Sequence, residues 1–305
     1  MKKLFFVLNP YAGTRKANKV LADILALFNR ADYDVRVHIT AKQGDARNVV
    51  RSRAGEMDLI VCCGGDGTFN ETVAGILESG VDVPVGYIPA GSTNDFATSL
   101  GLSTDIMTAT ENILRGSPVA YDVGSFGGRF FTYVASFGAF TKASYSTSQN
   151  VKNILGHTAY LLEGIQELSQ LRNKIHMRLE LENEVIEDDF IFGAICNSTS
   201  LGGILTLDPK QVDMRDGLLE ILLARFPKDL AEVAECIQAV QKQTYDCKML
   251  TFRSCRNVKI TADPNMNWTI DGEMELGREK ILVENLHQVI RVVGGSQPKS
   301  EEAEK

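Results

Sequence analysis

The chain is predicted to fold into an α/β domain followed by a second, mostly antiparallel β domain. Its first third alternates short apolar runs with segments whose apolar residues recur at helical spacing, the order of βαβ units around a parallel sheet. From about Tyr121, strand patterns follow one another with few helical segments between them, which is typical of a β-sandwich. A chain of 305 residues is long enough for two such domains and their cores.

The first domain is predicted to span residues 1–120, with a parallel sheet covered by helices on both faces. Its apolar or alternating runs predict the strands Lys3–Leu8, Asp34–Ile39, Asp58–Cys63 and Val83–Ile88. Apolar residues at helical spacing predict helices between these strands and a later helix near Asp105–Arg115. Ligands of such sheets bind beyond the carboxyl ends of the strands. Asn9, Thr40, Gly64 and Pro89 all come at or just after those ends.

The second domain is predicted to span residues 121–287 and to be a β-sandwich with inserted helices. Its predicted strands are Tyr121–Phe126, Arg129–Phe137, Ile175–Leu181, Val185–Cys196, Leu218–Ala224, Asn257–Thr261 and Lys280–Val283. The last predicted strand of the chain, Val289–Val293, follows this domain. Helices are predicted near Ala159–Leu171 and Leu230–Gln241, and the polar residues 296–305 read as a disordered tail. A cleft between the two domains is the expected place for an active site.

Composition excludes several classes of protein. Hydrophobic content of 44% and charged content of 23% are ordinary for a soluble protein. No apolar run approaches the ~20 residues that span a bilayer. The net charge of −7 argues against nucleic acid as a partner and against a strong pull toward anionic lipid, so any membrane contact should be peripheral and local. The six cysteines show no spacing typical of a metal site and no secretory context, so they are expected to be reduced thiols in a cytoplasmic protein.

The stretch Gly64-Gly65-Asp66-Gly67-Thr68 is the most informative in the chain. The buried-type strand Met57–Cys63 precedes it and a helical pattern over Thr68–Leu77 follows it. Residues without side chains let backbone N–H groups close on a phosphate, and a helix N-terminus adds a partial positive charge. Asp66 would reach that phosphate through a divalent metal ion. The simpler alternative is a tight turn in which Asp66 caps the helix.

GGDGT in this setting is shared by diacylglycerol-kinase-like lipid kinases, NAD kinases and phosphofructokinases. Within that group the chain resembles the bacterial soluble diacylglycerol kinase family in three further segments: Asn9-Pro10-Tyr11-Ala12-Gly13, Pro89-Ala90-Gly91-Ser92-Thr93-Asn94-Asp95-Phe96-Ala97 and Asp213-Met214-Arg215-Asp216-Gly217-Leu218. With Asp271-Gly272-Glu273 near the end, the resemblance covers nearly the whole chain. It also implies that the strand near 288–295 packs back on the first domain.

The resemblance implies a site for ATP and Mg²⁺. The residues it places at the nucleotide are Asn9, Pro10, Tyr11, Ala12, Gly13, Thr40, Gly64, Gly65, Gly67, Thr68, Asn70, Glu71, Ser92, Thr93 and Asn94. Ala12 replaces a serine that is usual in the family, and Ser92 stands where threonine is usual. Without the family, a strand-to-helix turn would explain the first loop, and helix capping would explain Asn94 and Asp95.

Four carboxylates carry the expected chemistry. The resemblance implies that Asp66 and Asp95 orient the water shell of the metal, that Asp271 is the general base for the lipid hydroxyl, and that Glu273 supports the site. A plain hairpin turn is the alternative for Asp271-Gly272. Asp213 and Asp216 can hold a hard cation with the carbonyl of Leu218, a structural magnesium site in the family. A solvated acidic turn is the alternative there.

The expected function is ATP-dependent phosphorylation of a lipid hydroxyl, above all conversion of diacylglycerol to phosphatidic acid. The lipid would be presented at a membrane surface, with the protein in the cytoplasm and peripherally associated with the inner face of the membrane. The alternatives are a kinase of another lipid alcohol (a sphingoid base, phosphatidylglycerol or a polyprenol), an NAD kinase, and a non-catalytic nucleotide-sensing module. Oligomeric state is left open, with a homodimer as one option.

Overall fold

The structure, a computed structural model, describes residues 1–138, 174–202, 205–245 and 247–294. The predicted helix Ala159–Leu171 and the predicted tail 296–305 lie outside the described residues. The chain divides into two compact units. The first unit comprises Met1–Tyr121 and Gln288–Lys305, and the second unit comprises Asp122–His287.

The helices and strands are numbered here in chain order among the described residues. The helices are α1 (Lys16–Arg30), α2 (Asp45–Arg53), α3 (Asp66–Ser79), α4 (Asp95–Ser99), α5 (Ile106–Arg115) and α6 (Leu230–Gln241), with a 3₁₀ turn at Ala54–Glu56. The strands are β1 (Lys2–Leu8), β2 (Tyr33–Ile39), β3 (Leu59–Gly64), β4 (Val85–Pro89), β5 (Val119–Phe126), β6 (Arg129–Phe131), β7 (Val134–Gly138), β8 (Ile175–Glu180), β9 (Val185–Cys196), β10 (Ser200–Leu201), β11 (Leu205–Thr206), β12 (Leu219–Arg225), β13 (Leu250–Cys255), β14 (Asn257–Ala262), β15 (Asn267–Ile270), β16 (Glu273–Leu276) and β17 (Lys280–Val293).

The first unit is built on a parallel sheet with the strand order β2-β1-β3-β4. The last residues of β17 add a further parallel strand beside β4, where Val292 pairs with Val85. Because all of these strands run the same way, the loops after β1, β2, β3 and β4 emerge at one edge of the sheet. The candidate phosphate loop follows β3 at that edge.

Helices cover both faces of this sheet. On one face, Leu4, Phe6 and other alternate strand residues pack against α1 and α5 in a continuous apolar core that includes Phe28. On the other face lie α2 and α3, where Phe69 of α3 stacks on Tyr87 of β4 with ring centroids 4.4 Å apart. Strands buried on both faces explain why β1 and β3 read as uninterrupted apolar runs.

Within the second unit, every strand pairing recorded for the described residues is antiparallel. The long strand β9 pairs with β8 through its first half and with β7 and β12 through its second half. The strand β14 pairs with β8 and with the start of β17, and β15 pairs with β7 and β16. Trp268 is fully buried at the centre of the core, in contact with Phe126 and Phe137. The predicted fold class is confirmed.

Two strand predictions for the chain beyond Tyr121 are wrong in detail. The predicted strand Arg129–Phe137 is interrupted at Thr132 and Tyr133, since the backbone N–H groups of both residues donate to the carboxylate of Asp271 instead of to a neighbouring strand. The predicted strands Lys280–Val283 and Val289–Val293 are one strand, β17, which tolerates a left-handed residue at Gln288 (φ 51°).

Four strands were missed, namely the two-residue strands β10 and β11 and the longer strands β13 and β16. The strand β13 carries an arginine and a serine within its six residues, and β16 alternates glutamate with apolar residues. Neither pattern puts apolar side chains on the inward face alone, which is the signal by which a strand is recognised. Across the described ranges, no helix has the length and apolar character needed to cross a bilayer.

Candidate active site

The loops that were predicted to bind nucleotide phosphates meet at the carboxyl edge of the first unit's sheet. The backbone N–H of Thr40, just after β2, donates to the carbonyl of Leu8 at the end of β1 (2.9 Å). The N–H of Ala90, just after β4, donates to the carbonyl of Gly64 at the end of β3 (2.7 Å). The strand ladders therefore continue into the loops and hold them side by side.

Asn9 joins the first loop to the candidate phosphate loop. Its backbone N–H donates to the carbonyl of Cys63 (2.9 Å), and its side-chain amide donates to Oγ1 of Thr68 (3.0 Å). The side-chain oxygen of Asn9 accepts from the N–H of Tyr11 (3.0 Å), which shapes the turn that follows. Asn9 thus has a structural role at this edge besides any contact with a ligand.

Glycine is required where the loops after β3 and β4 touch. A Cβ added to Gly91 would lie 2.6 Å from the Cα of Gly65, closer than real Cβ atoms approach any heavy atom. A Cβ on Gly65 would lie 3.2 Å from the Cα of Gly91. The two backbones are in close contact, so Gly91 has no room for a side chain and a side chain at Gly65 would push against the backbone of Gly91.

Gly67 is different, because no heavy atom outside its chain neighbours and the adjacent backbone of its own helix lies within 4 Å of the position where its Cβ would stand. It belongs to the first turn of α3. Glycine in a helix costs about 1 kcal/mol relative to alanine. No packing contact among the described residues requires a glycine there and so offsets that cost. A ligand that approaches the backbone at the start of α3 would account for the glycine.

Asp66 links α3 to α4. Its carboxylate accepts hydrogen bonds from the backbone N–H groups of Asp95 (3.1 Å) and Phe96 (3.3 Å), the first residues of α4. Helix capping was the alternative to a nucleotide contact for Asn94, but the side chain of Asn94 makes no capping hydrogen bond to α4. It closes the turn by exchanging hydrogen bonds with the backbone N–H and carbonyl of Gly91 (2.9 and 3.1 Å). Asp95 is 2% exposed and is joined to Asp66 through the hydrogen bond from its backbone N–H.

The other predicted nucleotide residues occupy varied positions around the same edge. Glu71 lies inside α3, where its carboxylate accepts from the N–H groups of Gly44 (2.6 Å) and Ala46 (3.2 Å) at the start of α2. Ser92 and Thr93 are exposed in the loop after β4. The remaining members of the predicted set lie in the first loop or at the start of α3: Pro10, Ala12, Gly13 and Asn70.

Asp271 lies in the second unit, at the turn between β15 and β16. Asp271 and Gly272 both have positive φ (47° and 84°), which is the geometry of a two-residue hairpin turn. One carboxylate oxygen of Asp271 accepts from the N–H (2.6 Å) and Oγ1 (2.8 Å) of Thr132. The other accepts from the N–H groups of Tyr133 (3.1 Å) and Val134 (2.9 Å). The sequence-based alternative of a hairpin turn is therefore correct as local structure.

The surroundings of Asp271 act on its pKa in opposite directions. Burial raises the pKa of this carboxyl, because the charged form loses its hydration. The hydrogen bonds from Thr132, Tyr133 and Val134 favour the charged form and lower the pKa. The net shift of the pKa is upward.

Glu273 follows two residues later and is held by an arginine. Arg129 of β6 contacts Oε2 of Glu273 through Nη2 and Oε2 of Glu275 through Nη1, both at 2.6 Å. The segment Arg129–Val134 therefore holds the β15–β16 hairpin at two points, through Arg129 and through the amides that bind Asp271. Sequence reasoning missed Arg129, because its partners are 144 and 146 residues away and no local pattern marks it.

The predicted cation residues form a compact loop in the second unit. Asp213 and Asp216 each close a turn by accepting from the backbone N–H two residues ahead (3.1 and 2.8 Å). The carbonyl of Leu218 accepts from Nδ2 of Asn285 (2.8 Å). The same amide nitrogen donates to Asp122 (3.1 Å), a fully buried carboxylate. Asn285 of β17 thus joins the loop Asp213–Leu218 to Asp122 of β5, and this places three carboxylates in one region.

This loop fits a hard divalent cation. Burial raises the pKa of Asp216, and the negative charges of Asp213 and Asp122 add to the effect. Burial, with Asp216 nearby, raises the pKa of Glu220 to about 8, and its buried Oε2 has no hydrogen-bond partner among the described residues. A cation held by Asp213, Asp216 and the Leu218 carbonyl would relieve this repulsion. No group of three or more His, Cys, Asp or Glu side chains in the described ranges is arranged to hold a metal by itself.

The two units match two known domain families. Residues 3–126 match the diacylglycerol kinase catalytic domain. Residues 134–294 match the YegS C-terminal NAD kinase beta sandwich-like domain. Together the two matches cover most of both units.

Similar proteins and structures agree with those matches. A diacylglycerol kinase of Bacillus subtilis (strain 168) is 30% identical over 276 residues, which are 90% of this chain and 90% of that protein. A diacylglycerol kinase of Staphylococcus saprophyticus is 28% identical over 99% of this chain and 98% of its own. The crystal structure of a diacylglycerol kinase from Bacillus anthracis str. Sterne is similar in fold, with a TM-score of 0.73, 22% identity and 96% of each chain covered.

Proposed function

Since the chain belongs to the bacterial diacylglycerol kinase family and is therefore a lipid kinase that phosphorylates an alcohol, we propose that it transfers the γ-phosphoryl group of ATP to diacylglycerol. The product is phosphatidic acid. The observation that carries the proposal is the Gly64–Thr68 loop. Gly67 leaves the backbone at the start of α3 accessible, although no packing contact requires a glycine there. Backbone N–H groups and the positive end of a helix are a binding site for phosphate.

In this proposal the loops at the carboxyl edge of the first unit hold the ATP phosphates. The exposed residues Gly13, Ser92 and Thr93 offer N–H and hydroxyl donors around Gly67. Ala12 offers no hydroxyl, so backbone groups carry that part of the contact. Thr40 and Thr68 lie at the same edge of the sheet, and both are buried.

Asp66 and Asp95 are proposed to orient the water shell of Mg²⁺. When bound with ATP, Mg²⁺ neutralises the charge that develops on the phosphoryl oxygens. The N–H groups of Asp95 and Phe96 fix the orientation of the Asp66 carboxylate before any ligand arrives. A pre-oriented carboxylate loses less entropy on binding a metal or its water shell. Asp213, Asp216 and Leu218 are proposed to hold a second, structural Mg²⁺.

Asp271 is proposed to accept the proton of the lipid hydroxyl. As that proton leaves, the hydroxyl oxygen bonds to the γ-phosphorus, and the bond from phosphorus to the bridging oxygen breaks to release ADP. Glu273 supports Asp271 through the hairpin that Arg129 holds. The reaction takes place where ATP is abundant, so we place the enzyme in the cytoplasm, acting on lipid at the inner face of the membrane.

Separation of labelled lipid products tests the proposal. The purified protein is incubated with [γ-³²P]ATP, Mg²⁺ and vesicles that contain diacylglycerol, a sphingoid base, phosphatidylglycerol or undecaprenol, with NAD as a soluble acceptor. We expect label in phosphatidic acid and none with the Asp66→Asn variant. Label in another lipid would change the acceptor, label in NADP would make the protein an NAD kinase, and ATP binding without any labelled product would support a nucleotide sensor.

A further inference from the structure

An outward-facing row of side chains runs from β16 into the start of β17. We call it the outer stripe, and its members are Met274, Leu276, Arg278, Lys280 and Leu282, alternate residues that are all exposed. Met274 is 62% exposed, Leu276 69% and Leu282 37%. Single exposed apolar residues are normal on a protein surface, but three of them on two strands joined by only three residues are not.

The intervening residues show why the outer stripe cannot turn inward. Glu273 and Glu275 face the other side of β16, where Arg129 binds both carboxylates at 2.6 Å. Ile281 and Val283, which alternate with Lys280 and Leu282, are buried in the core of the second unit. Because side chains of a strand alternate between its faces, these contacts hold Met274 and Leu276 of β16 toward solvent, and likewise Lys280 and Leu282 of β17.

The outer stripe also has a charge of its own. It contains Arg278 and Lys280 and no acidic residue. Glu273 and Glu275 lie on the other side of β16, and Glu279, between the two cations, is exposed beside them. Arg278 makes a long contact with Glu275 (3.8 Å) and donates to the carbonyl of Gly127 (3.3 Å), and its side chain stays 58% exposed. A protein with a net charge of −7 thus presents two cations beside three apolar side chains.

This combination fits the surface of a bilayer that contains anionic phospholipid. Apolar side chains enter the boundary between headgroups and acyl chains, while Arg and Lys contact lipid phosphates. The strand that carries Met274 starts two residues after Asp271, with only Gly272 between them. Resting on the proposed function, we propose that the outer stripe is the membrane-docking surface of the enzyme and brings Asp271 to lipid that stays in the bilayer.

Flotation with vesicles tests the docking directly. The whole protein is mixed with phosphatidylcholine vesicles with or without phosphatidylglycerol. We expect binding that is stronger with phosphatidylglycerol and weaker at high salt. The variant Met274→Gln/Leu276→Gln should bind at least about tenfold more weakly, and Arg278→Gln/Lys280→Gln should lose the preference for phosphatidylglycerol. Val185→Gln is the matched control, since Val185 is 52% exposed on another strand of the same unit.

An activity assay separates this inference from the proposed reaction. With long-chain diacylglycerol in vesicles, Met274→Gln/Leu276→Gln should lose activity in proportion to its lost binding. With dioctanoylglycerol dispersed as monomers, it should match the wild type. If the wild type phosphorylates neither lipid, the proposed function fails while flotation still reports on docking.

Three results would overturn the inference. The first is unchanged vesicle binding by Met274→Gln/Leu276→Gln, and the second is an equal loss of vesicle binding in Val185→Gln. The third is that Met274→Gln/Leu276→Gln has half the molar mass of the wild type in solution and still binds vesicles. The last result would assign the outer stripe to contact with a second copy of the chain. Melting curves of the variants exclude loss of fold as the cause, because a solvent-facing Gln should shift the midpoint little.

Discussion

The carboxylate of Asp271 accepts four hydrogen bonds, three of them from consecutive backbone N–H groups, so its replacement changes more than proton acceptance. In the Asp271→Asn variant the side-chain NH₂ group faces donors, and each buried donor without a partner costs about 1–3 kcal/mol. We expect turnover to fall by roughly 10²–10⁴-fold, together with a loss of about 2 kcal/mol in unfolding free energy. Steady-state kinetics and urea denaturation measure the two effects.

Thr132→Val is the matched control for Asp271→Asn. It removes the hydroxyl that bonds to Asp271 but leaves the three backbone donors in place, so stability should fall by about 1 kcal/mol while turnover stays near the wild type. If Asp271→Asn loses stability and keeps its turnover within a few-fold, Asp271 is an anchor for the hairpin and another group accepts the proton.

Two glycines of the phosphate loop should respond to alanine in opposite ways. Gly67→Ala has free space around its Cβ and a better helix former in α3, so it should raise the unfolding free energy by roughly 0.5–1 kcal/mol. The same methyl group stands where a phosphate would approach the backbone, so the KM for ATP should rise about tenfold or more. Gly65→Ala presses on Gly91 and should lower stability. Unchanged ATP kinetics in Gly67→Ala would place the phosphates elsewhere.

Some residues of the site were within reach of sequence reasoning and others were not. The position of Gly64–Thr68 between a buried strand and a helix follows from local pattern, because apolar runs and helical spacing are read over a few residues. That Asp66 caps α4 did not follow, since its partners are 29 and 30 residues away across two loops. Asn94 offered a closer cap, and the backbone at Asn94 (φ 55°) directs its side chain to Gly91 instead.

At the scale of elements, strands buried on both faces were predicted best. The apolar runs of β1, β3 and β4 are read correctly because both faces need apolar side chains. The break between β6 and β7 was missed, since it is caused by Asp271, which is distant in sequence. The strand β16 was missed because its inward-facing residues are glutamates, which a hydrophobic pattern assigns to solvent. Long-range polar contacts account for both errors.

Arg129 makes an element-scale prediction about the β15–β16 hairpin. Arg129→Ala removes both contacts to Glu273 and Glu275, and Arg129→Lys keeps the charge without the forked geometry. The contacts are partly exposed, so each variant should cost only about 1 kcal/mol in stability. Turnover should fall by about tenfold through displacement of Asp271, with the KM for ATP unchanged. Arg253→Ala, which removes a comparable contact to Glu184 in the same unit, should leave turnover near the wild type.

For the whole molecule, the order of strands and helices was enough to predict an α/β unit followed by a β unit. Each unit has its own apolar core, centred on residues such as Phe6 in the first and Trp268 in the second. The acceptor lipid was not predictable, because acyl chains are recognised by apolar surface and leave no short motif. The family narrows the acceptor to a lipid alcohol, and only a product assay identifies it.

The stability of the whole chain should depend on divalent metal through the loop at Asp213–Leu218. Asp216, Asp213 and Asp122 repel one another, and a cation bound by the first two and by the Leu218 carbonyl removes that penalty only in the folded state. Saturation at about 100 times the Kd adds roughly 2.7 kcal/mol, which corresponds to a rise of about 5–10 °C in Tm for a unit of this size. Differential scanning calorimetry in Mg²⁺ and in EDTA measures the shift.

Asp216→Asn should abolish most of that rise, whereas Asp208→Asn should keep it. Asp208 is a matched control, since it closes the same kind of turn by accepting from the N–H two residues ahead (2.9 Å) but is not a member of the proposed cation set. If the Tm of the wild type does not change with Mg²⁺, the loop is an acidic turn without a bound cation. Equal loss in both variants would mean that Mg²⁺ acts through general screening of a chain whose net charge is −7. Since the Mg²⁺ of the proposed reaction would bind together with ATP, a shift measured without ATP would report on the proposed structural site.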